Sequence, residues 1–291
     1  LERPTVVVIA GPTAAGKSAV ALGLARRHKG TIINADASQV YADLRILSAR
    51  PSVADEATVP HRLYGVIDGA DTCDAARWAA MARAAITTAI AAGSVPIVTG
   101  GSGMYLRTLL DGIAPVPPID PDVRAEVRAL DPAAARAALA ALDPDAAVRI
   151  ADPQRVARAL EVVRSTGRAL SEWQAAATGG IAGEFAVRGH VVDLPRAELH
   201  ARIDARLGAM LAAGALDEVA ALGQRDLPAD APVMKALGVA PLLAYLRGEV
   251  DLAAAIDRTR ADTRHYAKRQ QTWFRNQTPD WSRSHNGFDG L

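Results

Sequence analysis

The sequence predicts an α/β protein, a P-loop parallel sheet flanked by helices, with a mostly helical insertion domain. Over the first hundred residues, short apolar runs alternate with helical patterns, which is typical of a parallel sheet covered by helices. The composition changes at residues 114–121, where four prolines precede Ala- and Arg-rich helical segments. We therefore expect a core of residues 1–114 and 186–291 and an insertion of residues 115–185.

The elements follow from local signals along the chain. Buried strands are predicted at residues 6–10, 31–35, 95–99 and 190–194, where apolar runs end at polar or glycine residues. Asp74 and Asp152 are expected to cap helices that end at Gly93 and Gly167. Further amphipathic helices are predicted at 18–28, 198–222 and 252–275, and residues 281–291 read as a loose polar tail.

A glycine-bounded loop between the first strand and the first helix is the most informative motif. Its residues are Gly11, Pro12, Thr13, Ala14, Ala15, Gly16, Lys17 and Ser18. Backbone amides in such a loop face phosphate oxygens, and the following helix adds the positive end of its dipole. Lys17 can reach the terminal phosphates, and Ser18 can hold Mg²⁺. The loop predicts diphosphate or triphosphate binding and leaves the reaction open.

Bulk composition limits the setting of the protein. The formal net charge is only +1, and four of the 33 basic residues are lysines. Arginine excess suits phosphate recognition, and coding bias explains it equally well. Cys73 is the single cysteine, which excludes an internal disulfide and a cysteine-based zinc site. With a single cysteine, no signal-peptide pattern and no apolar run long enough to span a membrane, we expect a cytoplasmic protein that does not contact membranes. A monomer is the simplest expectation for its oligomeric state.

A narrow basic stripe is predicted on the last long helix. Its members recur at spacings of three and four residues and fall within an arc of about 80°; they are Arg260, Arg264, Lys268, Gln271 and Arg275. Such a stripe is either a solvated charged face or a contact with a phosphate backbone, and spacing alone favours neither.

Six ordered motifs give the chain a family resemblance. They are Gly11 to Ser18, Asp36 to Tyr41, Pro60 to Leu63, Gly100 to Tyr105, Asp152 to Val162 and Ala267 to Arg275. In this order they resemble the signatures of the bacterial tRNA dimethylallyltransferases, also called isopentenyl-tRNA transferases. The resemblance extends over nearly the whole chain.

The resemblance implies transfer of a dimethylallyl group from dimethylallyl diphosphate to N6 of the tRNA adenosine immediately 3′ of the anticodon, with release of pyrophosphate. It implies catalytic roles for Asp36, Lys17, Ser18 and Ser102, with Asp36 accepting the proton of the attacking amine and Mg²⁺ near Ser18. The tRNA contacts that it implies are Asp36, Ala37, Ser38, Gln39, Ser102, Arg124, Gln154, Arg155, Val156, Ala157, Arg158, Lys235, Lys268, Arg269, Gln271 and Arg275.

Departures from the family pattern and two other readings remain. Ala37, Val239 and Ala240 stand where the family has Ser, Tyr and a basic residue. The phosphate loop alone also fits a small-molecule or nucleotide kinase that uses ATP. The arginine-rich faces alone fit a non-catalytic RNA-binding protein. The apolar run at residues 95–99 is followed by glycines rather than by a magnesium-binding Asp, which argues against an ATPase.

Overall fold

The computed structural model describes residues 3–285 and 287–288, which form two compact units. One unit combines Leu1–Leu110 with Ile181–Leu291, and the other is Asp111–Gly180. Each has its own core of buried apolar side chains. Within the described residues, no helix is both long enough and apolar enough to cross a membrane.

Eight short strands are found in the described part of the chain. They are β1 (Thr5–Ala10), β2 (Gly30–Asn34), β3 (His61–Arg62), β4 (Val95–Gly100), β5 (Gly112–Ile113), β6 (Thr178–Gly179), β7 (Ala186–Val192) and β8 (Ser282–Ser284). Six of them form one sheet in the order β3-β2-β4-β1-β7-β8, and every neighbouring pair is parallel. The predicted P-loop parallel sheet is confirmed.

The register of the sheet brings the ends of its central strands together. Ala10, the last residue of β1, pairs with Gly100 of β4 and with Val191 of β7, and Asn34 of β2 pairs with Thr99. The carboxyl ends of β1, β2 and β4 therefore meet at one edge, where open α/β sheets bind ligands.

Helices cover the sheet and make up most of the insertion. Within the described residues they are α1 (Lys17–His28), α2 (Val53–Thr58), α3 (Ala75–Ala91), α4 (Gly103–Asp111), α5 (Pro121–Ala129), α6 (Pro132–Leu142), α7 (Pro144–Arg149), α8 (Pro153–Thr166), α9 (Leu170–Ala175), α10 (Arg196–Ala212), α11 (Ala215–Gly223), α12 (Val239–Leu246) and α13 (Leu252–Gln277), with a 3₁₀ turn at Pro232–Lys235.

The caps predicted from the sequence are found at both ends of α8 and at the start of α3. The carboxylates of Asp74 and Asp152 accept hydrogen bonds from the amides three residues on, and Gly167 closes α8 with φ of 67°. The amphipathic segment 198–222 does not form one helix. Gly214, with φ of 100°, separates α10 from α11, since a glycine readily adopts the left-handed conformation that ends a helix.

The segment after α13 is not a loose tail in its first residues. Ser282–Ser284 forms β8, which extends the sheet by pairing with β7, and His190 on β7 bonds the hydroxyls of Ser282 and Ser284 at 2.8 and 3.0 Å. The prediction for Asn286 and residues 289–291 lies outside the described residues. Composition did not predict β8 because its residues are polar, and the strand is stabilised by pairing with β7 rather than by burial of apolar side chains.

The insertion unit is held by a small helical core and a two-residue strand pair. Val127, Leu139, Val156 and Leu160 are buried among its helices, and β5 pairs with β6 in antiparallel fashion. In the larger unit, the chain leaves and returns at neighbouring points. The amide of Ile181 donates to the carbonyl of Leu109 at 2.9 Å, and that of Ala182 donates to Leu110 at 3.2 Å.

Candidate active site

The phosphate loop follows β1 and turns into α1 at the carboxyl edge of the sheet. Gly11 has φ of 144°, and a Cβ at this position would lie 2.2 Å from the carbonyl oxygen of Val192. Only glycine fits so close to the neighbouring strand. Gly16, with φ of 99°, then precedes the first residue of α1, Lys17. The loop is therefore shaped by its two glycines, and the helix N-terminus supplies the positive dipole end.

A polar cavity of about 550 Å³ opens at this edge. It brings together Lys17, Ser18 and Asp36, three of the four residues assigned catalytic roles from the sequence, while the fourth, Ser102, is not part of its lining. The other lining residues are Thr13, Ala14, Gly16, Gln39, Ser48, Ala49, Arg50, Pro51, Ser52, Asp55, Tyr64, Thr99, Gly100, Arg202 and Arg206. With Lys17 and Asp36 included, the lining has four cationic side chains and two carboxylates, so it suits an anion.

Lys17 is folded back onto its own loop. Its Nζ donates a hydrogen bond to the carbonyl of Pro12 at 2.6 Å. Burial lowers the pKa of Lys17 to about 8, the carboxylate of Asp36 opposes that change, and the nearby Arg206 adds to it. The ammonium therefore lacks a full counter-charge, and an anion in the cavity would supply one.

Asp36 is fixed by a buried asparagine that sequence reasoning did not single out. Asn34 is fully buried, its Oδ1 accepts the amide of Asp36 at 2.8 Å, and its Nδ2 donates to the carbonyl of Asp36 at 3.1 Å. The indole of Trp78 donates to the carbonyl of Asn34 at 2.8 Å. One carboxylate oxygen of Asp36 accepts the amide of Ser38 at 2.9 Å. The strand end thus holds the carboxylate at the cavity in a fixed orientation.

Two arginines of α10, Arg202 and Arg206, also line the cavity and were missed. Their spacing of four residues on an amphipathic segment was the available signal. Arg202 is held by the carboxylate of Glu198 at 2.8 Å and reaches the carbonyl of Ala15 at 3.5 Å. Burial lowers the pKa of Arg206, and Asp36 opposes that change. These guanidiniums extend the positive surface of the phosphate loop.

A second, apolar cavity of about 80 Å³ adjoins the first. Both cavities share Thr13, Ala14, Asp36, Ser48 and Arg206. The apolar side chains that line it come from three segments that are distant in sequence; they are Leu47, Ile203, Leu207, Met210, Ala236 and Leu237. The arrangement places a small apolar space directly beside a polar, cationic one.

Glu218 of α11 positions one wall of the apolar cavity. Its carboxylate accepts the backbone amides of Arg45, Ile46 and Leu47 at 2.5, 2.8 and 2.8 Å. Three successive amides on one carboxylate fix the backbone of this turn, which otherwise has no regular structure. Leu47 and Ser48 are thereby held at the junction of the two cavities.

Ser102 and Gln270 tie the loops of the site together. The amide of Ala37 donates to the hydroxyl of Ser102 at 2.9 Å. Gln270, which is buried in α13, accepts the amide of Thr13 at 2.8 Å and donates to the carbonyl of Gly101 at 2.8 Å. The amide of Thr13 is therefore already paired within the protein. Burial raises the pKa of Tyr266, whose hydroxyl interacts with Ser102 and Gln270, to about 12, so that phenol stays neutral.

The predicted RNA-contacting residues of the larger unit differ in exposure. Lys235, Lys268, Arg269 and Arg275 are exposed, while Ala37, Ser38 and Gln39 are partly buried near Asp36. The side-chain Nε2 of Gln39 donates to the backbone carbonyls of Ser48 and Ala49 at 2.9 and 3.0 Å, so this nitrogen has a structural role. Val239, at a position where the family has Tyr, is fully buried.

The basic stripe on α13 is divided into two parts. Arg264 pairs with Asp204 of α10 at 2.5 Å, and Arg260 lies 3.9 Å from the same carboxylate and 3.2 Å from Asp257. Gln271 donates to Asp193 at 2.8 Å. Only Lys268 and Arg275 of the stripe are exposed. Periodicity placed all five on one arc, but α10 packs against the first half of it.

In the insertion unit, most of the predicted RNA contacts lie on exposed positions. Arg124, Gln154, Arg155 and Arg158 are exposed, and Arg158 lies 3.4 Å from the buried carboxylate of Glu161. The side chain of Val156 is only 1% exposed and packs in the core of this unit, and Ala157 is partly buried. A helix that packs on one face cannot present consecutive side chains to a partner, which explains the position of Val156.

Comparison with known proteins shows which family this chain belongs to. Residues 39–277 match the model of the family described as IPP transferase. The chain is 55% identical over 280 residues to the tRNA dimethylallyltransferase of Rhodospirillum rubrum, covering 94% of this chain and 85% of that protein. It is 56% identical over 282 residues to the tRNA dimethylallyltransferase of Sphingopyxis alaskensis, covering 96% of this chain and 92% of that protein.

Solved structures show the same fold. A eukaryotic dimethylallyltransferase acting on tRNA superposes with a TM-score of 0.81 at 28% identity, over 93% of this chain and 70% of that chain. The full-length tRNA isopentenylpyrophosphate transferase of Bacillus halodurans superposes with a TM-score of 0.70 at 30% identity, over 97% and 90% of the two chains.

Proposed function

We propose, since this chain belongs to the IPP transferase family, that it transfers a dimethylallyl group from dimethylallyl diphosphate to N6 of the adenosine immediately 3′ of the anticodon in tRNA. The observation that carries the proposal is the pair of adjoining cavities, one cationic and one apolar, with Asp36 lining both. A diphosphate with a five-carbon apolar tail has this division of chemistry. Neither a kinase nor a passive RNA-binding protein needs the apolar half.

The cationic cavity supports departure of the diphosphate. As the bond between the allylic carbon and the diphosphate oxygen breaks, negative charge builds on the leaving group. Lys17, Arg202 and Arg206 border the cavity where that charge would develop, and groups already in place stabilise it without reorganisation. The negative charge on the diphosphate would also be the counter-charge that the ammonium of Lys17 lacks.

Asp36 is proposed as the group that receives the proton. The new bond forms between N6 and the allylic carbon, the carbon–oxygen bond breaks, pyrophosphate leaves, and the N6 proton passes to the carboxylate of Asp36. One carboxylate oxygen is held by the amide of Ser38, which fixes the direction of the other. An adenosine in a stacked loop must leave its stack to reach this depth, as it does in other base-modifying enzymes.

Mg²⁺ is proposed as the metal that accompanies the diphosphate. No group of three or more His, Cys, Asp or Glu side chains that could hold a metal is present among the described residues. This fits Mg²⁺, which keeps most of its waters and is held by one or two protein oxygens plus substrate phosphates. Ser18 is exposed in the cavity lining and could supply such an oxygen. The ion would neutralise charge on the diphosphate.

The RNA surface is proposed to include the exposed basic residues of α13, the partly buried segment that contains Ala37, Ser38 and Gln39, and the exposed positions of α8. Lys268, Arg269 and Arg275 would contact phosphates, which position an RNA without reading its sequence. Arg124, Arg155 and Arg158 would do the same in the insertion unit. A cytoplasmic monomer is the setting that we propose for this reaction.

The deciding experiment measures modification of tRNA directly. Purified protein is incubated with Mg²⁺, dimethylallyl diphosphate and unmodified tRNA that carries adenosine 3′ of the anticodon, and nucleosides are analysed by mass spectrometry. We expect a dimethylallyl adduct on that adenosine. Unchanged adenosine, or transfer of phosphate from ATP in a parallel reaction, would refute the proposal. Asp36→Asn should bind tRNA as the unaltered protein does and lose most turnover, and unchanged turnover would remove Asp36 as the base.

A further inference from the structure

Tyr64 lies in the cationic cavity but belongs to none of the motifs by which the family was identified. The matching segment ends at Leu63, and no role in the reaction has been assigned to the next residue. Tyr64 lines the same cavity as Lys17, Ser18 and Arg206. Its hydroxyl forms no hydrogen bond within the described part of the chain. Tyr64 is half-buried, and because it lines the cavity, a hydroxyl without a partner in the protein is available to bond a ligand or water there.

The backbone around Tyr64 is held in place on both sides. The carbonyl of Leu63 accepts from Asn34 at 3.0 Å, and the amide of Gly65 donates to the carbonyl of Gln39 at 2.9 Å. The carbonyl of Tyr64 accepts from the guanidinium of Arg50 at 3.4 Å. These bonds hold Leu63 at φ of 66°, a conformation that costs free energy for a residue with a branched side chain. Strain of this kind persists where the surroundings fix a functional position.

Gly65 allows Arg50 to lie against this turn. A Cβ at Gly65 would be 2.1 Å from the guanidinium of Arg50, and Gly65 has φ of 61°. The Nε of Arg50 is buried without a hydrogen-bond partner. The part of the lining that carries Tyr64 is therefore cationic as well as strained, and it suits an anion as the phosphate loop does.

We propose that the hydroxyl of Tyr64 donates a hydrogen bond to a phosphate oxygen of the diphosphate. This inference rests on the proposed function and gives the leaving group of the substrate a hydrogen-bond donor outside the phosphate loop. The charges that line the cavity favour an anion over the uncharged face of an adenine. Burial, with Asp36 and Glu56 nearby, raises the pKa of Tyr64, so the hydroxyl keeps its proton throughout the physiological range.

The test compares Tyr64→Phe with a matched control, Tyr245→Phe. Tyr245 is partly buried on α12 and lines neither cavity. Binding of inorganic pyrophosphate with Mg²⁺ is measured by calorimetry, together with KM for dimethylallyl diphosphate, kcat and the affinity for tRNA. Loss of one hydrogen bond to a charged group should weaken pyrophosphate binding roughly 10-fold or more. The control and the tRNA affinity should stay at the level of the unaltered protein.

Two outcomes would overturn the assignment. Pyrophosphate affinity within about twofold of the unaltered protein would show that the hydroxyl does not contact the diphosphate. A loss confined to tRNA affinity would place the hydroxyl against the nucleotide instead. Tyr64→Leu, which also lacks the hydroxyl, should weaken pyrophosphate binding at least as much as Tyr64→Phe, and unfolding curves confirm that both variants fold. Pyrophosphate binding is measured without transfer, so this proposal and the proposed function can fail separately.

Discussion

Replacing Lys17 by methionine should make the ligand-free protein more stable while it abolishes turnover. The side chain lies near Arg206, and its ammonium donates a hydrogen bond to the carbonyl of Pro12. Methionine keeps most of the apolar stem and removes the charge. A charge that the fold must bury without full compensation lowers stability, and the phosphate loop would tolerate this cost for the sake of binding.

The size of the effect follows from the pKa of the lysine. A lowering from 10.5 to about 8 corresponds to about 3 kcal/mol, at 1.36 kcal/mol for each pKa unit. Water in the cavity makes this an upper value. The lost hydrogen bond to Pro12 offsets about 1 kcal/mol. We therefore expect Lys17→Met to raise the free energy of unfolding by up to about 2 kcal/mol near neutral pH.

The sign of the pH dependence gives a second readout. Below pH 8 both the folded and the unfolded lysine are charged, so the unaltered protein bears the full cost of burial. Between about 8 and 10.5 the unfolded chain holds the proton more tightly, so the stability of the unaltered protein rises with pH. The advantage of Lys17→Met should therefore be complete below pH 8 and shrink as pH rises towards 10.5.

Thermal and denaturant unfolding of both proteins, without ligand, measure this difference across the pH range. A gain of about 2 kcal/mol should raise Tm of a chain of this size by roughly 3 °C. Pyrophosphate with Mg²⁺ should raise Tm of the unaltered protein and leave that of Lys17→Met unchanged. A variant that is no more stable near neutral pH, or whose advantage does not change with pH, would refute the buried-charge argument.

Three further predictions concern other parts of the site. Gln270→Leu leaves the amide of Thr13 and the carbonyl of Gly101 without these partners. We therefore expect the free energy of unfolding to fall by about 2 kcal/mol and KM for the diphosphate to rise, as measured by unfolding curves and steady-state kinetics. An unchanged KM would contradict a positioning role for Gln270. Lys268→Ala should reduce the steepness of log tRNA affinity plotted against log salt concentration by about one. Arg264→Ala, which removes a partner of Asp204, should leave that slope unchanged. Equal slopes in both variants would contradict the division of the basic stripe into two parts. Leu207→Ala enlarges the apolar cavity. In a competition assay, transfer from a longer allylic diphosphate should therefore rise relative to transfer from dimethylallyl diphosphate. An unchanged ratio would show that the apolar tail of the substrate does not bind beside Leu207.

The features that could be predicted from the sequence are those fixed by residues close together in the chain. The phosphate loop needs a strand, two glycines and a helix in succession, and all of them are consecutive in the chain. The same holds for Asp36, which follows a strand whose end is set by the sheet register. Caps such as Asp152 and Gly167 act within one helical turn and could be located from residue type alone.

The parts that sequence could not supply depend on packing between distant segments. Leu47, Leu207 and Ala236 form one cavity although they lie far apart in the chain. Gln270 stood inside a recognised motif, yet its contact with Thr13 spans most of the chain and leaves no periodic signal. Arg264 was placed correctly on its helix face, but which neighbouring helix covers that face is not encoded in spacing.

The hydrogen bonds that join Leu109 to Ile181 and Leu110 to Ala182 make the insertion removable in principle. The two chain ends at this point already run side by side, so a short glycine linker could replace residues 111–180 without stretching the remaining backbone. The trimmed protein would retain the phosphate loop, Asp36 and both cavities, all of which come from the larger unit. The fold thus offers a point at which the insertion could be removed or exchanged while the larger unit keeps the phosphate loop, Asp36 and both cavities.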